Sequence, residues 1–218
     1  MPPSDKRCEA GQQRILTEKT RDKHDTVVVQ EKLDGSCCSV AKIDGHIYAL
    51  TRSGYEATTS KYEQHHLFNT YVNGLIPLFV DSLSDGERLV GEWLAQAHGV
   101  RYRLPHDPFV VFDLMREHTR IPYQELIDRL YDCKHFFTTP RLIHYGGALP
   151  LDRAISAAQV SGHGAIDPTE GVVYRCERDG KVDFLAKWVR PDKVDGCYLP
   201  EISGKDAVWN LVTINSFS

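Results

Sequence analysis

Two of the chain's Asp-Gly pairs, at positions 44–45 and 179–180, constrain the fold more than any other local feature. Both lie inside stretches rich in β-branched and apolar residues. Asp-Gly between two such stretches is a strong short-range signal for a β-hairpin, because both turn positions need a positive φ. The first pair predicts two strands within Ser39–Thr51, and the second predicts a hairpin of Val172–Arg175 with Val182–Trp188. Antiparallel strands are therefore expected to form much of this chain.

The remaining patterns predict one α+β domain. Apolar residues recur at helical spacing in Ser60–Leu83, with Leu67 on the buried face and Pro77 bending or ending the helix. No repeat or long linker divides the chain, so residues 1–218 are expected to be a single domain, an antiparallel sheet with flanking helices. Residues 1–25 are expected to be a polar leader or an edge element. The other predicted elements are the strands Thr26–Gln30, Arg88–Ala95 and Pro108–Leu114 and the helices Pro122–Cys133 and Leu151–Val160.

Composition and cysteine usage restrict the class of protein. Of the 218 residues, 41% are hydrophobic and 26% are charged, which is typical of a globular domain. The apolar runs are much shorter than the ~20 residues of a membrane-spanning helix, and the N-terminus lacks the apolar segment of a secretion signal. The six cysteines form no CxxC pair, which argues against a zinc site and predicts a reducing, cytoplasmic compartment.

The segment Glu31-Lys32-Leu33-Asp34-Gly35 lies where a predicted strand meets a turn. By itself it also fits a charged strand end followed by an ordinary Asp-Gly turn. A nucleophilic lysine must lose a proton that lysine holds with a usual pKa of about 10.4, and desolvation or a nearby cation helps to remove it. Lys32 follows the apolar run Val27–Val29, and Lys187 is a candidate second cation. Lys32 is therefore a candidate nucleophile.

Five further segments follow Lys32 in a fixed order. This succession resembles the nucleotidyltransferase motifs I, Ia, III, IIIa, IV and V of ATP-dependent DNA and RNA ligases and of mRNA capping enzymes. It is most similar to the RNA ligase branch, in the family of the second RNA ligase of phage T4. The order makes the resemblance specific, because each segment alone is common. The segments are Thr51-Arg52-Ser53-Gly54, Gly91-Glu92-Trp93, Phe109–Asp113, Glu170-Gly171-Val172-Val173 and Lys187-Trp188-Val189-Arg190.

The resemblance implies an ATP-grasp-like ligase adenylation fold and an RNA ligase that uses ATP with Mg²⁺ or Mn²⁺. RNA ends would be joined after Lys32 becomes covalently linked to AMP. Residue chemistry agrees with these roles, since carboxylates suit magnesium, guanidinium and ammonium groups suit phosphates, and an aromatic face suits a purine. The implied nucleotide-binding residues are Glu31 at the adenine amino group, Lys32, Asp34, Gly35, Arg52 at the ribose or the acceptor 5′-phosphate, Glu92, Phe112 stacked on the purine and Lys187 at the phosphates. The implied metal ligands are Glu170 and Glu92, with the ribose as an alternative partner of Glu92.

The chain departs from the family pattern in two places. Motif V usually carries two lysines separated by one residue, but the run Leu185-Ala186-Lys187 matches only the second, so the usual contact of the first lysine is missing or supplied elsewhere. The sequence also leaves no room after motif V for the oligonucleotide-binding-fold domain of DNA ligases and capping enzymes. The expectation is a catalytic domain without an appended domain, for which a partner protein can supply substrate binding.

Three alternatives remain open on the residues alone. A DNA ligase catalytic core would suit the Lys32 and Arg52 segments equally well. A capping guanylyltransferase fits less well, because the motif VI domain has no place in this sequence. A nucleotide- or RNA-binding module without turnover would have no need of a nucleophilic lysine.

Overall fold

The structure, a computed structural model, describes residues 7–132 and 137–212. Within these two ranges the chain forms eleven β-strands and six α-helices. The strands are β1 (Asp25–Lys32), β2 (Ser36–Ile43), β3 (His46–Thr51), β4 (Glu87–Trp93), β5 (Arg103–Leu104), β6 (Phe109–Arg116), β7 (Thr119–Arg120), β8 (Leu142–Gly146), β9 (Gly171–Arg178), β10 (Lys181–Val189) and β11 (Leu211–Val212). The helices are α1 (Ala10–Thr17), α2 (Glu63–Gly74), α3 (Ile76–Ser82), α4 (Tyr123–Asp132), α5 (Leu151–Ala158) and α6 (Pro200–Ser203).

Most strands belong to two antiparallel sheets. The four-stranded sheet has the order β10-β9-β1-β8, and the five-stranded sheet has the order β3-β2-β4-β6-β7. Because β1 lies in the first sheet and β2 in the second, residues 33–35 cross from one sheet to the other. The predicted α+β class, with antiparallel strands and flanking helices, is confirmed. The crossing places the segment after Lys32 at the junction of the sheets.

Both predicted Asp-Gly hairpins are confirmed. Asp44 and Gly45 have φ angles of 49° and 76°, and Asp179 and Gly180 have φ angles of 49° and 71°. Two successive positive φ angles characterise the two-residue turn whose twist matches that of the flanking strands. The first turn joins β2 to β3, and the second joins β9 to β10. Local turn chemistry therefore predicts where the chain reverses in both hairpins.

The helix predicted over Ser60–Leu83 is divided into α2 and α3. Pro77 lies in the first turn of α3, where its missing N–H leaves no hydrogen bond unmade. Leu67 is 40% exposed, so its prediction as a buried residue is wrong. Phe68 is buried instead, because its ring packs 5.3 Å from the ring of Trp93 and 5.1 Å from that of Phe109. These contacts with the five-stranded sheet decide which face of α2 is buried.

The two predicted shorter helices are confirmed as α4 and α5, although the predicted end of the first, Cys133, lies outside the described residues. A helix, α1, occupies part of the segment predicted as a leader or edge element. Its Leu16 is 2% exposed and packs with α5 against the four-stranded sheet, whereas α2, α3 and α4 pack against the five-stranded sheet.

Within the described ranges, no helix has both the length and the apolar character needed to cross a bilayer. The five cysteines in these ranges are free thiols. The cytoplasmic compartment stays a prediction.

Candidate active site

The two sheets border a cavity of about 1560 Å³. Side chains from both sheets and from the crossing segment line it. Motif segments that are far apart in the chain thus meet around one space, as the resemblance implies. The predicted site residues that border this cavity are Lys32, Asp34, Gly35, Arg52, Glu92, Phe112, Glu170 and Lys187.

Lys32 is the last residue of β1, and its side chain reaches the cavity. The ammonium nitrogen, Nζ, lies 2.7 Å from Oε2 of Glu170 and 3.3 Å from the backbone oxygen of Leu33. The pairing of β1 with β9 places Lys32 opposite Gly171, which brings the preceding Glu170 beside it. The Lys32 side chain keeps 20% exposure, whereas that of Glu170 keeps 5%. The candidate nucleophile is therefore held by a buried carboxylate and stays accessible from the cavity.

A second lysine, Lys193, shares the same carboxylate. Its Nζ lies 2.6 Å from Oε1 of Glu170 and 2.9 Å from Oδ1 of Asp34, and its side chain is only 5% exposed. Burial alone would lower the pKa of this lysine, but the charges of Asp34 and Glu170 outweigh burial and raise the pKa above its usual range. Lys193 therefore remains an ammonium. Lys32, Asp34, Glu170 and Lys193 are called the Lys32 cluster below.

Lys193 lies outside every motif segment that the sequence reveals. It lies in the loop after β10, and nothing in its sequence neighbourhood distinguishes it from an ordinary exposed loop lysine. One signal could have prompted a search for it, since Leu185 stands where the family pattern has a lysine. Leu185 borders the cavity and is 38% exposed. The Lys32 cluster thus contains a second ammonium that comes from outside the motif.

Asp34 and Gly35 shape the crossing between the sheets. Asp34 is 6% exposed, and its Oδ2 accepts a 2.6 Å hydrogen bond from the backbone N–H of Gly99. The N–H of Gly35 donates to Oε1 of Glu92 at 3.0 Å. A Cβ atom at Gly35 would lie 2.5 Å from the backbone oxygen of Trp93, so only glycine allows this close approach. Both residues hold the backbone that positions Lys32, and a direct nucleotide contact of either stays a prediction.

Glu92, on β4, carries a carboxyl group with a pKa raised to about 7. Burial is the largest cause, and the charge of Glu170 adds to it, while Lys32 and the N–H of Gly35 oppose the shift. Near neutral pH this carboxyl is consequently divided between its protonated and ionised forms. A cation arriving beside it would favour the ionised form.

Glu92 and Glu170, the predicted metal ligands, both border the larger cavity. Across residues 7–132 and 137–212, no three His, Cys, Asp or Glu side chains are grouped so that they could hold a metal ion. Magnesium in nucleotide-dependent enzymes is commonly held by one or two carboxylates together with substrate phosphates and water. The metal role of the two glutamates stays a prediction.

Arg52, Lys187 and Phe112 lie on the walls of the larger cavity. Arg52 follows β3, at the edge of the five-stranded sheet, and Lys187 lies on β10 of the four-stranded sheet. Both side chains are exposed, whereas Phe112 on β6 is half-buried. The wall of the larger cavity therefore carries two cationic side chains, one from the edge of each sheet, and an aromatic ring from β6.

A smaller cavity of about 180 Å³ adjoins the larger one and shares Lys32, Glu92 and Phe112 with it. Phe112 borders it from the five-stranded sheet, and Val173 and Leu185 border it from the four-stranded sheet. Apolar walls on two sides suit a flat heteroaromatic ring, which can stack on the phenyl face. Lys32, the candidate nucleophile, is one of the residues that line this smaller cavity.

Glu31 borders only the smaller cavity. It is 2% exposed, and neighbouring residues of a strand point to opposite faces, so its side chain diverges from that of Lys32. Its Oε1 accepts a 2.7 Å hydrogen bond from the hydroxyl of Ser161, and its Oε2 accepts a 2.8 Å hydrogen bond from the N–H of Gly162. The adenine contact of Glu31 stays a prediction, and both carboxylate oxygens already have protein partners.

The family described as RNA ligase matches residues 25–189 of this chain. Among solved structures, an RNA ligase of Naegleria gruberi is similar with a TM-score of 0.57 and 17% identity, over 78% of this chain and 51% of that one. An archaeal ATP-dependent RNA ligase gives 0.52 and 20%, over 76% and 42% of the two chains. A putative ATP-dependent DNA ligase from Aquifex aeolicus gives 0.54 and 16%, over 75% and 43%.

At these identities the structural similarity shows the shared fold. The present chain spans about half, or less, of the length of each of these three proteins. The family match, in contrast, extends from β1 to β10 and covers the six motif segments except for Arg190, the last residue of the final one.

Proposed function

The chain belongs to the RNA ligase family, and on that premise we propose that it is an ATP-dependent enzyme that joins 3′-hydroxyl and 5′-phosphate ends of RNA. In this reaction Lys32 is the nucleophile, and it carries AMP from ATP to the RNA end. The observation that carries the proposal is the position of Lys32, an accessible ammonium on the wall of a large cavity, 2.7 Å from the Glu170 carboxylate.

In the first proposed step, the Lys32 amine attacks the α-phosphorus of ATP. A nitrogen–phosphorus bond forms, the bond to the pyrophosphate oxygen breaks, and pyrophosphate leaves. The ammonium must first release a proton, because only the free amine has the lone pair for attack. Arg52 and Lys187, exposed in the same cavity, are the proposed partners of the phosphate oxygens, whose charge has to be stabilised during the transfer.

Two further displacements complete the proposed reaction. An oxygen of the RNA 5′-phosphate attacks the phosphorus held by Lys32, and the lysine amine leaves, so that AMP is now attached to the RNA end. The 3′-hydroxyl then attacks the 5′-phosphorus, loses its proton and displaces AMP. Each step exchanges one bond to phosphorus for another, so positioning and charge stabilisation account for most of the catalysis.

The residues fit ATP with the base in the smaller cavity. Phe112 would stack on the purine, and Val173 and Leu185 would cover its opposite face. The smaller cavity begins at Lys32, so a base placed there would leave the phosphates in the larger cavity. Glu92 is the proposed partner of either the ribose or the metal.

The residues also fit a divalent ion that arrives with the nucleotide. Glu170 and Glu92 offer the oxygen ligands that magnesium and manganese accept, and the N. gruberi RNA ligase was solved with ATP and manganese. When bound, such an ion would neutralise charge on the phosphate oxygens and on the departing pyrophosphate. In this protein, Lys32 and Lys193 occupy the oxygens of Glu170, so the carboxylate would have to be shared between lysine and metal.

We propose further that the described residues form one adenylation domain, which acts in the cytoplasm with RNA and ATP as substrates. We also propose that a partner protein supplies contacts to the RNA. If the purified chain forms the Lys32 adduct but seals no end until an extract is added, the partner is supported. Sealing by the chain alone at matched concentration would contradict the need for a partner.

A DNA ligase activity is the second candidate, because the putative DNA ligase of A. aeolicus shares the fold. A single comparison separates the two activities. The protein is incubated with magnesium and either α-labelled ATP or α-labelled GTP, and then with nicked duplexes. The 3′ strand of the nick is all RNA, RNA only at its last two positions, or all DNA.

We expect ATP to label the protein and both RNA-ended nicks to be sealed, while the all-DNA nick stalls after AMP transfer. Only the 2′-hydroxyl distinguishes RNA from DNA at a given position, so the terminal nucleotides should decide. Equal sealing of the DNA nick would overturn the RNA ligase proposal in favour of a DNA ligase. Labelling by GTP alone would favour a capping enzyme, and labelling by neither nucleotide would favour a binding module.

A further inference from the structure

Arg88 lies near the start of β4, four residues before Glu92. Buried and half-buried residues alternate along this strand, and the half-buried ones, Arg88, Val90 and Glu92, all border the larger cavity. Four residues of a strand span about 13 Å, which separates Arg88 from the proposed partner of the ribose or the metal. Arg88 belongs to none of the family motifs, and it does not border the smaller cavity, where the base is proposed to lie. It is therefore a cation in a part of the larger cavity to which the proposed site assigns no group.

The guanidinium of Arg88 has almost no partner within the protein. Its Nη2 donates to the sulfur of Met115 at 3.3 Å, and a thioether is a weak acceptor. Its Nε is shielded from solvent and, within the described residues, meets no acceptor. No carboxylate of residues 7–132 or 137–212 forms an ion pair with it. Arg88 thus carries a charge without a counter-charge.

The neighbouring carboxylate is used on the other side of the sheet. Glu87 directly precedes Arg88, so its side chain points to the opposite face of β4. There its oxygens accept hydrogen bonds from Arg116 at 2.8 Å and from Arg129 at 2.8 Å. A charge that is partly removed from water and has no counter-charge is unfavourable. An anion that enters from the larger cavity would supply the missing charge to Arg88.

A hydroxyl group lies beside this guanidinium. Ser39 of β2 is opposite Val90, so it shares the cavity face of the sheet and is a diagonal neighbour of Arg88. Diagonal neighbours are about 7–8 Å apart, a distance that the long arginine side chain spans. Among the described residues the Ser39 hydroxyl has no hydrogen-bond partner. A guanidinium and a hydroxyl without protein acceptors are donors of the kind that nucleic-acid phosphates accept.

The position favours RNA over ATP as the source of this phosphate. A bound ATP with its base in the smaller cavity would place its phosphates near Lys32. The larger cavity, about 1560 Å³, exceeds the roughly 300–1000 Å³ of a usual small-molecule site and so leaves space for a polymer. RNA carries a phosphate on every nucleotide, so a strand whose end reaches Lys32 brings further phosphates along the wall of the cavity.

We propose that Arg88, assisted by Ser39, binds a backbone phosphate of the RNA about two to four nucleotides from the break. The distance to Glu92 sets this range, because a helical strand rises about 3.4 Å per nucleotide and an extended strand rises more. The inference rests on the proposed RNA ligase function and names a contact to the polymer. Arg88 consequently acts in the steps that need RNA, which follow the adenylation of Lys32.

The first test measures the affinity for a nicked RNA duplex by fluorescence anisotropy at several salt concentrations, without ATP, so that no bond is sealed. Arg88→Gln should weaken binding by about tenfold, the scale of one hydrogen bond to a charged group. It should also reduce the slope of log affinity against log salt by about one, because one fewer phosphate is neutralised. Arg88→Lys keeps the charge and should recover most of the slope. The matched control, Arg153→Gln on the exposed face of α5, should change neither quantity.

The rate of Lys32 labelling by α-labelled ATP is measured on the same preparations. In Arg88→Gln, the affinity for RNA should fall by a larger factor than the labelling rate. A fall in the labelling rate with an unchanged affinity for RNA would assign Arg88 to ATP and overturn the inference. Absence of labelling in the wild-type protein would contradict the proposed function itself.

A second test uses the wild-type protein and so does not depend on the folding of any variant. One RNA phosphate at a time is replaced by an uncharged methylphosphonate that follows a 2′-O-methyl sugar, and the control strand has the same sugar with an ordinary phosphate. Binding should weaken by about tenfold at one position two to four nucleotides from the break. At that position Arg88→Gln should cause no further loss, since both changes remove the same contact. Equal weakening at every position, or a full further loss in the variant, would overturn the inference.

Discussion

Two groups of charged side chains lie where the two sheets meet, and they differ in how completely their members are paired. The Lys32 cluster borders the larger cavity, and the Lys32 side chain keeps 20% of its exposure there. The second group joins β9 of the four-stranded sheet to the five-stranded sheet, and its central arginine, Arg175, is only 4% exposed. Its members, called the Asp113 cluster, are Asp113, Arg120, Arg175 and Glu177.

Both terminal nitrogens of the Arg175 guanidinium have hydrogen-bond acceptors. Its guanidinium pairs with Asp113 and donates to the backbone oxygens of Phe112 at 3.1 Å and Ile121 at 3.2 Å. The second oxygen of Asp113 accepts from Arg120 at 2.8 Å. Lys32, in contrast, has one close carboxylate and one longer backbone contact. Several close partners in a buried place hold the sheets together, whereas a single close partner beside a cavity leaves a group available for chemistry.

The largest expected effect is the loss of the accessible lysine. Lys32→Ala should lower labelling by α-labelled ATP by at least about 1000-fold, because no other group replaces a missing nucleophile. Lys32→Arg should fail as well, since a guanidinium stays protonated and cannot attack. The control is Lys181→Ala, at the exposed start of β10. Labelling of Lys32→Ala at the control rate would remove Lys32 from the mechanism.

Removing the central arginine of the Asp113 cluster should act on stability instead. Arg175→Met leaves the 2%-exposed Asp113 without its buried partner and should lower the free energy of unfolding by about 3–5 kcal/mol. Urea denaturation followed by circular dichroism measures this change. Lys32→Ala, measured alongside, should change the same quantity by less than about 1 kcal/mol. Similar losses in both variants would show that the two clusters have the same structural role.

Glu170→Gln tests the carboxylate that joins the two lysines of the Lys32 cluster. The substitution keeps the size of the side chain but removes its charge, so adenylation should fall by about 100-fold, the scale of one lost electrostatic contact in a transfer site. Excess magnesium should not restore the rate, because the missing group is a ligand and not the metal. A rate within twofold of the wild type would exclude Glu170 from the chemistry.

The smallest expected effect belongs to Lys193, which has features of both clusters. Its side chain is 5% exposed, close to the 4% of Arg175, and it belongs to the Lys32 cluster. Lys193→Gln should lower the free energy of unfolding by about 1–3 kcal/mol and adenylation by about tenfold, since Asp34 and Glu170 each retain one other partner. Loss of stability with an unchanged rate per folded molecule would assign Lys193 to structure alone.

The sequence alone predicted the strands, the two Asp-Gly hairpins and the series of segments that meet around the larger cavity. These features depend on local rules: alternation along a strand, the φ preferences of a turn, and the residue types of short motifs. Eight of the nine predicted site residues, from Lys32 to Lys187, border that cavity. The exception, Glu31, borders the smaller one, since neighbouring strand residues point to opposite faces.

Only the tertiary structure decided which distant residues share a partner. Lys193 contacts Glu170 and Asp34, and Arg175 contacts Asp113, through pairings of strands and loops that are far apart in the chain. The burial of Phe68 in place of Leu67 likewise depends on rings from β4 and β6. Such contacts arise when the sheets and helices pack, and no local pattern encodes them, because the free energy of a buried pair depends on everything that surrounds it. The sequence therefore determined the elements and the motif chemistry, and the packing of two sheets determined how each charge is paired.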